Sequence, residues 1–211
     1  PRSGQRLDST SHWSRVSDFG AGDIKIVWEP SRFSFAYGLG RAYWRTGDQQ
    51  HAEVFWRQVE SWRAANPPNT GVNWRCGQES TFRAMAWLFG LWAFEDAPAT
   101  NAVRVAGLLE MLGATGMRIS CHIDYALSQR NNHGVSEAVG LFTLGTLLPW
   151  LPKAAEWTMR GRQLLERLAV DLVYEDGAFS QHSFNYQRVL AEVSDLGAAS
   201  VLQNDGSWTY T

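Results

Sequence analysis

Two asparagines and a histidine stand together where a polar loop meets an apolar, periodic segment. Asn131, Asn132 and His133 lie within the stretch Ser128–Gly140. Asparagine accepts hydrogen bonds from free backbone N–H groups at a helix N-terminus, where the macrodipole also favours an anion. The stretch therefore indicates a site for an anionic ligand. In the alternative interpretation one asparagine is an ordinary N-cap, and His133 pairs with Glu137 one turn later.

A second polar cluster follows near the end of the chain, in the stretch Asp176–Arg188. It combines amide, imidazole, phenol and guanidinium groups, which suit the binding of a polar ligand. The alternative is a turn with its capping side chains, since polar residues of these types also concentrate in turns. The side chains concerned are Gln181, His182, Asn185, Tyr186 and Arg188.

A third cluster occupies residues Asn73–Arg83 and contains Asn73, Trp74, Glu79 and Arg83. These side chains can donate and accept hydrogen bonds. Because Glu79 and Arg83 are four residues apart on a predicted helix, the alternative is an exposed ion pair with no function beyond local stability.

Helical periodicity dominates the rest of the chain, and no run of alternating strand residues is convincing. Helices with short turns at one end and long polar loops at the other build bundles, solenoids or α/α toroids, here with about four hairpins. In a toroid the polar loops, including the one at Trp28–Glu29, can gather on one face. After an extended lead-in over residues 1–30, the first predicted helix starts near Phe33 and ends at Thr46–Gly47, and Asp48 caps a second helix that extends through Trp62. A turn is predicted at Gly177, before the last helix, and a tail at Gln203–Gly206. The other predicted helices cover Phe82–Trp92, Ala102–Leu112, Ser120–Leu127, Val135–Leu148, Ala154–Val173 and Phe184–Leu202.

Composition limits the function classes. The 19 Lys and Arg residues against 21 Asp and Glu residues argue against a nucleic-acid surface, which needs a clustered positive excess. The longest apolar run, Ala138–Pro152, is too short to span a bilayer. The five histidines lack metal-ligand spacing, and Cys76 and Cys121 are either two buried thiols or one bridge. The opening residues PRSGQRLDST show no secretory leader.

Five groups of residues follow one another along the chain: Asp23–Ile24–Lys25, Trp28–Glu29–Pro30–Ser31–Arg32, Gly71–Val72–Asn73–Trp74 with Gln78–Glu79, Asn131–Asn132–His133, and Asp176–Gly177 leading to Ser183–Phe184–Asn185–Tyr186. In their order and spacing they resemble the heparinase II/III-like family of polysaccharide lyases. The resemblance extends from about Asp18 to about Leu190 and implies an incomplete α/α toroid followed by a β-sandwich. The 211 residues then form one toroid domain of a longer chain, in a periplasmic or secreted protein.

The resemblance implies roles for three residues in a β-elimination on an acidic polysaccharide. Asn132, with His133 beside it, is expected to hold the substrate carboxylate, and Tyr186 to exchange protons at the scissile bond. The C5 proton of a uronate is barely acidic until its carboxylate is neutralised, and amide donors at a helix N-terminus can do this. A tyrosine that removes this proton needs nearby cations that lower its pKa.

The remaining candidate residues are expected to bind substrate, with no redox cofactor and no metal on this part of the chain. Most of the 11 tryptophans should nevertheless lie in the core. The candidates are Trp28, Asn73, Trp74, Glu79, Arg83, His182 and Arg188, with Phe184 as a further stacking residue.

Two other functions fit the same residues. A glycoside hydrolase needs two carboxyl groups across the scissile bond, which Glu29, Glu79, Glu137 and Asp176 could supply. A non-catalytic glycan-binding or assembly module in surface-polysaccharide metabolism needs none of the proposed chemistry. A metal ion carried by a further domain is compatible with all three functions.

Overall fold

A computed structural model describes residues 10–17, 23–183, 186 and 188. In these residues the chain is helical, and the only strand-like contacts are two isolated bridges, His12 with Thr70 and Val173 with Phe179. The predicted helix Phe184–Leu202, apart from the helical Tyr186 and Arg188, and the Gln203–Gly206 tail lie outside the described residues. The helices are α1 Lys25–Trp28, α2 Phe35–Thr46, α3 Gln50–Ala65, α4 Gly77–Ala93, α5 Ala102–Ser128, α6 Asn132–Leu147 and α7 Ala154–Leu172.

The chain divides into two compact units, one up to Thr115 and the other from Gly116 onwards. In the first unit, α2 ends where Gly47 adopts a left-handed conformation with φ +68° and donates its N–H to the carbonyl of Tyr43. The Asp48 carboxylate then accepts the Gln50 N–H at 2.9 Å, as the sequence predicted for a cap before the next helix. Asn66 ends α3 and donates its side-chain N–H to the Trp62 carbonyl.

Aromatic side chains fill the core of the first unit. Phe55 is fully buried and packs with both Trp56 and Phe94, and Phe33 contacts both Trp62 and Trp87 edge to face. A glycine makes this packing possible, since a Cβ atom at Gly90 would lie 2.3 Å from the Phe55 ring. The aromatic residues of α3 are therefore core residues, whereas α2 and α4 also carry exposed rings such as Trp44 and Trp92.

The predicted extended lead-in is only partly correct. Residues 11–13 do lie along residues 69–71, with the Trp13 N–H donating to the Asn69 carbonyl and the Gly71 N–H donating to the Ser11 carbonyl. However, the segment also contains helical turns at Trp13–Arg15, Lys25–Trp28 and Pro30–Arg32. Asp23 favours the turn of α1 because its carboxylate accepts the Lys25 N–H at 3.0 Å.

The helices predicted at Ala102–Leu112 and Ser120–Leu127 form one continuous helix, α5, so the predicted break between them is wrong. Gly116, a weak helix former, lies between the two predicted helices. In the second unit Gly116 has a packing role instead, because a Cβ atom there would lie 2.4 Å from the Trp157 ring. The absence of a side chain admits a tryptophan from α7 without interrupting the helix.

The pair α6 and α7 packs backbone against backbone in the second unit. A Cβ atom at Gly161 would lie 2.5 Å from the Phe142 nitrogen, and one at Gly145 would lie 2.4 Å from the Ala154 carbonyl oxygen. Glycines on both helices therefore permit a close approach that larger residues would prevent. This contact fixes the position of α6 along α7.

Two further predictions from the sequence concern membrane-spanning helices and the two cysteines. In the part of the chain that the structure describes, no helix is both long and apolar enough to cross a membrane. Neither cysteine belongs to a disulfide among these residues, and Cys121 is exposed, so both of the alternatives considered for the pair are wrong.

Candidate functional site

The N-terminus of α6 is built by Asn131. Its backbone is extended, with φ −140° and ψ −171°, and its side-chain oxygen accepts the His133 N–H at 2.9 Å. Its side-chain nitrogen donates to the Gln129 side chain at 3.1 Å. Asn131 is therefore an N-cap, as in the simpler of the two interpretations, and Asn132 is the first residue of the helix.

Asn132 is only 4% exposed. Its backbone N–H donates to the side-chain oxygen of Gln181 at 3.0 Å, across 49 positions of sequence. Two of the N–H groups that a helix N-terminus leaves unpaired are thus satisfied by side chains, one from Asn131 and one from Gln181. His133, the next residue, is half-buried.

Gln181 comes from a tight turn that follows α7. The Tyr174 N–H donates to the Ala178 carbonyl at 2.9 Å, and the Ser180 N–H donates to the Leu172 carbonyl at 2.8 Å. Gly177 has φ +82°, a conformation that favours glycine, so the turn predicted at this residue is confirmed. The turn brings Gln181 back to α6. The sequence of the polar cluster did not predict this contact.

The other predicted residues of this cluster lie on the surface. His182 is exposed, has φ +50°, and stacks its ring on Tyr174 at 5.7 Å between centroids. Tyr186 and Arg188 are helical and exposed. The structure thus brings the Gln181 turn to Asn132, and it leaves the Tyr186 phenol accessible to solvent.

In the first unit, Glu79 is 3% exposed and binds Arg32 rather than Arg83. Arg32 donates from Nε to Oε2 at 2.6 Å and from Nη2 to Oε1 at 2.7 Å, a bidentate ion pair. This hydrogen bond raises the pKa of Arg32, and Glu79 adds a favourable charge. The expectation of an exposed Glu79–Arg83 pair is therefore wrong, because both side chains are buried and the carboxylate faces a different arginine.

Arg83 is fully buried among tryptophan rings, with its guanidinium 4.2 Å from the centre of the Trp62 ring. It donates to the Asn73 carbonyl at 2.9 Å and to the Ser31 carbonyl at 3.3 Å. Burial lowers the pKa of Arg83, and the nearby Glu79 charge opposes this effect. Its hydrogen bonds connect two helical turns, Pro30–Arg32 and Val72–Trp74.

The remaining predicted substrate-binding residues of the first unit are also anchored. Asn73 is buried and donates from Nδ2 to the Asn66 side chain at 2.8 Å. Trp74 is fully buried and donates to the Asn66 carbonyl, so its ring faces are covered by protein. Trp28 is half-buried and donates to the Val72 carbonyl at 2.9 Å. Their binding roles stay predictions.

The carboxylates considered for hydrolysis have different environments. Glu29 and Asp176 are exposed, and Asp176 accepts the Ala178 N–H at 2.9 Å. Glu137 is buried, like Glu79. No group of three His, Cys, Asp or Glu side chains with metal-binding geometry occurs within the described ranges.

The family description "Heparinase II/III N-terminus" matches residues 11–206 of this chain. Comparison with curated protein sequences found no match. Among solved structures, the heparan sulfate lyase HepC from Pedobacter heparinus is similar with a TM-score of 0.66 and 17% identity, over 92% of this chain and 33% of that chain.

A second solved structure, the Heparinase III-BT4657 gene product, is similar with a TM-score of 0.64 and 19% identity, over 91% of this chain and 34% of that chain. The chain thus spans about a third of the length of both solved structures. At these identities the likeness concerns the fold, and it confirms the predicted class, an incomplete α/α toroid.

Proposed function

Because the chain belongs to the heparinase II/III N-terminus family, as its motifs predicted, we propose that it is the helical part of a polysaccharide lyase. The proposed substrate is a glycan that contains uronic acid, and the proposed reaction is β-elimination. The family match over residues 11–206 supports the reaction class, as do the names of the two similar structures, a heparan sulfate lyase and a heparinase III.

The proposed chemistry starts at the N-terminus of α6. Removing the C5 proton of a uronate creates negative charge on the neighbouring carboxylate, and that charge must be stabilised in the transition state. Asn132 supplies an amide in the first turn of α6, where the helix dipole favours an anion. We assign to Asn132 the role of holding the carboxylate, with His133 beside it.

Tyr186 is the proposed proton-transfer residue. The observation that carries this assignment is the hydrogen bond between the Asn132 N–H and the Gln181 side chain, since it ties the segment before Tyr186 to the start of α6. Tyr186 comes five positions after Gln181, so their backbones are at most about 18 Å apart. An exposed phenol within that reach can meet a sugar bound at Asn132.

His182 and Arg188 are proposed to bind the acidic sugar next to Tyr186, because both are exposed on the same short segment. Trp28, Asn73, Trp74, Glu79 and Arg83 remain proposed contributors to binding in the first unit. All of them except the half-buried Trp28 are buried, which favours an indirect role that holds the surrounding backbone in place.

The complete protein is proposed to contain a further domain, a β-sandwich, because the chain covers only 33% and 34% of the similar structures. β-Elimination is redox-neutral, so the reaction requires no redox cofactor. We further propose that the protein meets its polymeric substrate in the periplasm or outside the cell.

The test uses the full-length protein that contains this chain and measures ultraviolet absorbance of the unsaturated uronate product. Heparin, heparan sulfate, hyaluronan, chondroitin and alginate serve as substrates. We expect Tyr186→Phe to lower the rate by about 10²–10⁴, the usual contribution of a positioned acid or base. Tyr125→Phe is the matched control, because Tyr125 is an exposed tyrosine on α5 whose phenol has no proposed role.

Three results contradict the proposal. Full turnover by Tyr186→Phe would remove the assignment of that residue. Cleavage without a new double bond would indicate a glycoside hydrolase. Binding of a glycan without any cleavage would indicate a glycan-binding module.

A further inference from the structure

Two tryptophans lie side by side on the surface of the first unit, Trp44 on α2 and Trp92 on α4. Each is 50% exposed, their ring centroids are 4.9 Å apart, and the planes meet at 74°. Large aromatic side chains are usually more deeply buried, and an exposed group of them often marks a binding site. This exposed pair therefore indicates a ligand-binding site.

A third aromatic ring packs against both tryptophans. Phe89 contacts the Trp44 ring at 5.6 Å and the Trp92 ring at 5.9 Å between centroids. Phe89 can sit there because Gly40 has no side chain, since a Cβ atom at this position would lie 2.7 Å from the phenylalanine ring. The tryptophans are thus positioned before any ligand arrives, which reduces the entropy that binding must overcome.

The rings border a pocket of about 320 Å³. This volume is at the lower end of the range of roughly 300–1,000 Å³ that is typical of small-molecule sites. Neither Glu95 nor Asp96 forms an ion pair with any residue that the structure describes. The lining consists of Tyr43, Trp44, Trp92, Ala93, Glu95 and Asp96, and it includes no lysine or arginine.

Three aromatic side chains and two carboxylates that have no ion-pair partner among the described residues form an environment for a positive charge. The face of an aromatic ring attracts a cation, most strongly when the cation is weakly hydrated, as an alkylated ammonium is. The same carboxylates repel a uronate, so the pocket is unsuited to the acidic substrate. We infer that this pocket, lined by Tyr43, Trp44, Trp92, Glu95 and Asp96, binds an organic cation with an alkylated ammonium group.

This site is independent of the proposed lyase reaction, because none of its residues belongs to the proposed catalytic or substrate-binding set. A neutral sugar is the competing ligand, since sugars also stack on tryptophan. The two ligands differ in their need for the carboxylates. A cation requires Glu95 and Asp96, whereas a stacked neutral sugar does not depend on their charge.

The experiment measures saturation-transfer NMR on the methyl protons of tetramethylammonium chloride with the full-length protein, at constant ionic strength. We expect Trp44→Ala and Trp92→Ala each to weaken binding by about two- to fivefold, the range for one exposed cation–π contact. Trp150→Ala is the matched control, because Trp150 is an exposed tryptophan of the second unit and lies outside this pocket. Equal loss in the control would overturn the proposal, as would a wild-type protein that shows no transfer.

The double variant Glu95→Gln/Asp96→Asn separates charge from stacking. Both side chains are exposed, so the variant should fold normally, and we expect it to bind tetramethylammonium more weakly. Unchanged binding in this variant, or equally strong transfer to glucose, would overturn the proposal. A final experiment uses phosphatidylcholine vesicles. If the wild type sediments with the vesicles and Trp92→Ala does not, a lipid headgroup is the source of the cation. Sedimentation of neither, with tetramethylammonium binding retained, identifies a free cation.

Discussion

The surroundings of Arg83 in the first unit and the N-terminus of α6 in the second unit both collect polar side chains, but these side chains have different partners. Arg83 and Glu79 are charged and buried, and their partners are backbone carbonyls and another charged side chain. At α6, neutral side chains from Asn131 and Gln181 accept backbone N–H groups at a helix end. The first arrangement holds backbone turns in place, whereas the second leaves a dipole end next to an exposed loop. The two regions therefore differ in the partners of their polar side chains, which are a charged group and carbonyls around Arg83 and backbone N–H groups at α6.

The largest expected effect concerns Arg83. Replacing it with alanine removes the donors to the Asn73 and Ser31 carbonyls and leaves a cavity among the tryptophans. We expect Arg83→Ala to lower the free energy of unfolding by about 3–5 kcal/mol, because the cavity and the two carbonyls left without a donor each destabilise the fold. Urea denaturation of the full-length protein measures this change.

Arg162→Ala is the control for this variant. Arg162 is exposed and pairs with Glu166 one turn away, so its loss should change stability by about 0.3–0.5 kcal/mol. If Arg83→Ala instead kept its stability and raised the KM for glycan, Arg83 would contact substrate and the contrast between the two regions would fail.

A substitution at Asn132 is expected to lower the reaction rate, whereas one at Arg83 is expected to lower stability. We expect Asn132→Ala to lower kcat by about 10²–10³, the usual loss of one donor that stabilises developing charge. The matched control is Asn131→Ser, which replaces the neighbouring asparagine with another good N-cap and should keep both rate and stability. Kinetics on the responsive glycan and thermal unfolding of the same samples test this pair. A variant that loses stability but not rate would make Asn132 a supporting residue, like Arg83.

A smaller effect is expected at Gln181. Gln181→Ala removes the acceptor of the Asn132 N–H, and a hydrogen bond of this kind contributes about 0.5–1.5 kcal/mol. Hydrogen–deuterium exchange of a peptide that covers residues 130–134 should become faster in this variant. Gln181→Glu keeps an acceptor oxygen next to a helix N-terminus and should retain slow exchange. Equal exchange in all three proteins would show that the turn after α7 does not hold α6.

Local patterns in the sequence predicted most of the helices, because periodicity and turn residues act over a few positions. Gly47, Asp48 and Gly177 have the turn and capping roles inferred for them. The gap predicted between residues 112 and 120 is wrong. Glycine ends α2 at Gly47, whereas Gly116 admits the Trp157 ring inside the continuous helix α5. Composition alone does not separate those two uses.

The candidate sites were harder to predict because their contacts join distant positions. The partner of Glu79 is Arg32, 47 residues away, whereas local spacing indicated Arg83. The partner of the Asn132 N–H is Gln181, 49 residues away. The sequence located the polar clusters but not which of their members are buried, since burial depends on packing between elements.

The close contact of α6 with α7 also has a consequence for the order of folding. Only residues 148–153 connect the two helices, and backbone hydrogen bonds at Leu151 and Ala154 close this connection. Contacts between neighbours in sequence form early, since little chain entropy is lost in closing a short loop. We therefore expect the α6–α7 hairpin to be among the first structures formed, with Gly145 and Gly161 selecting its register. The helix end that carries Asn132 would then be in place before the chain beyond Gly177 folds back to meet it.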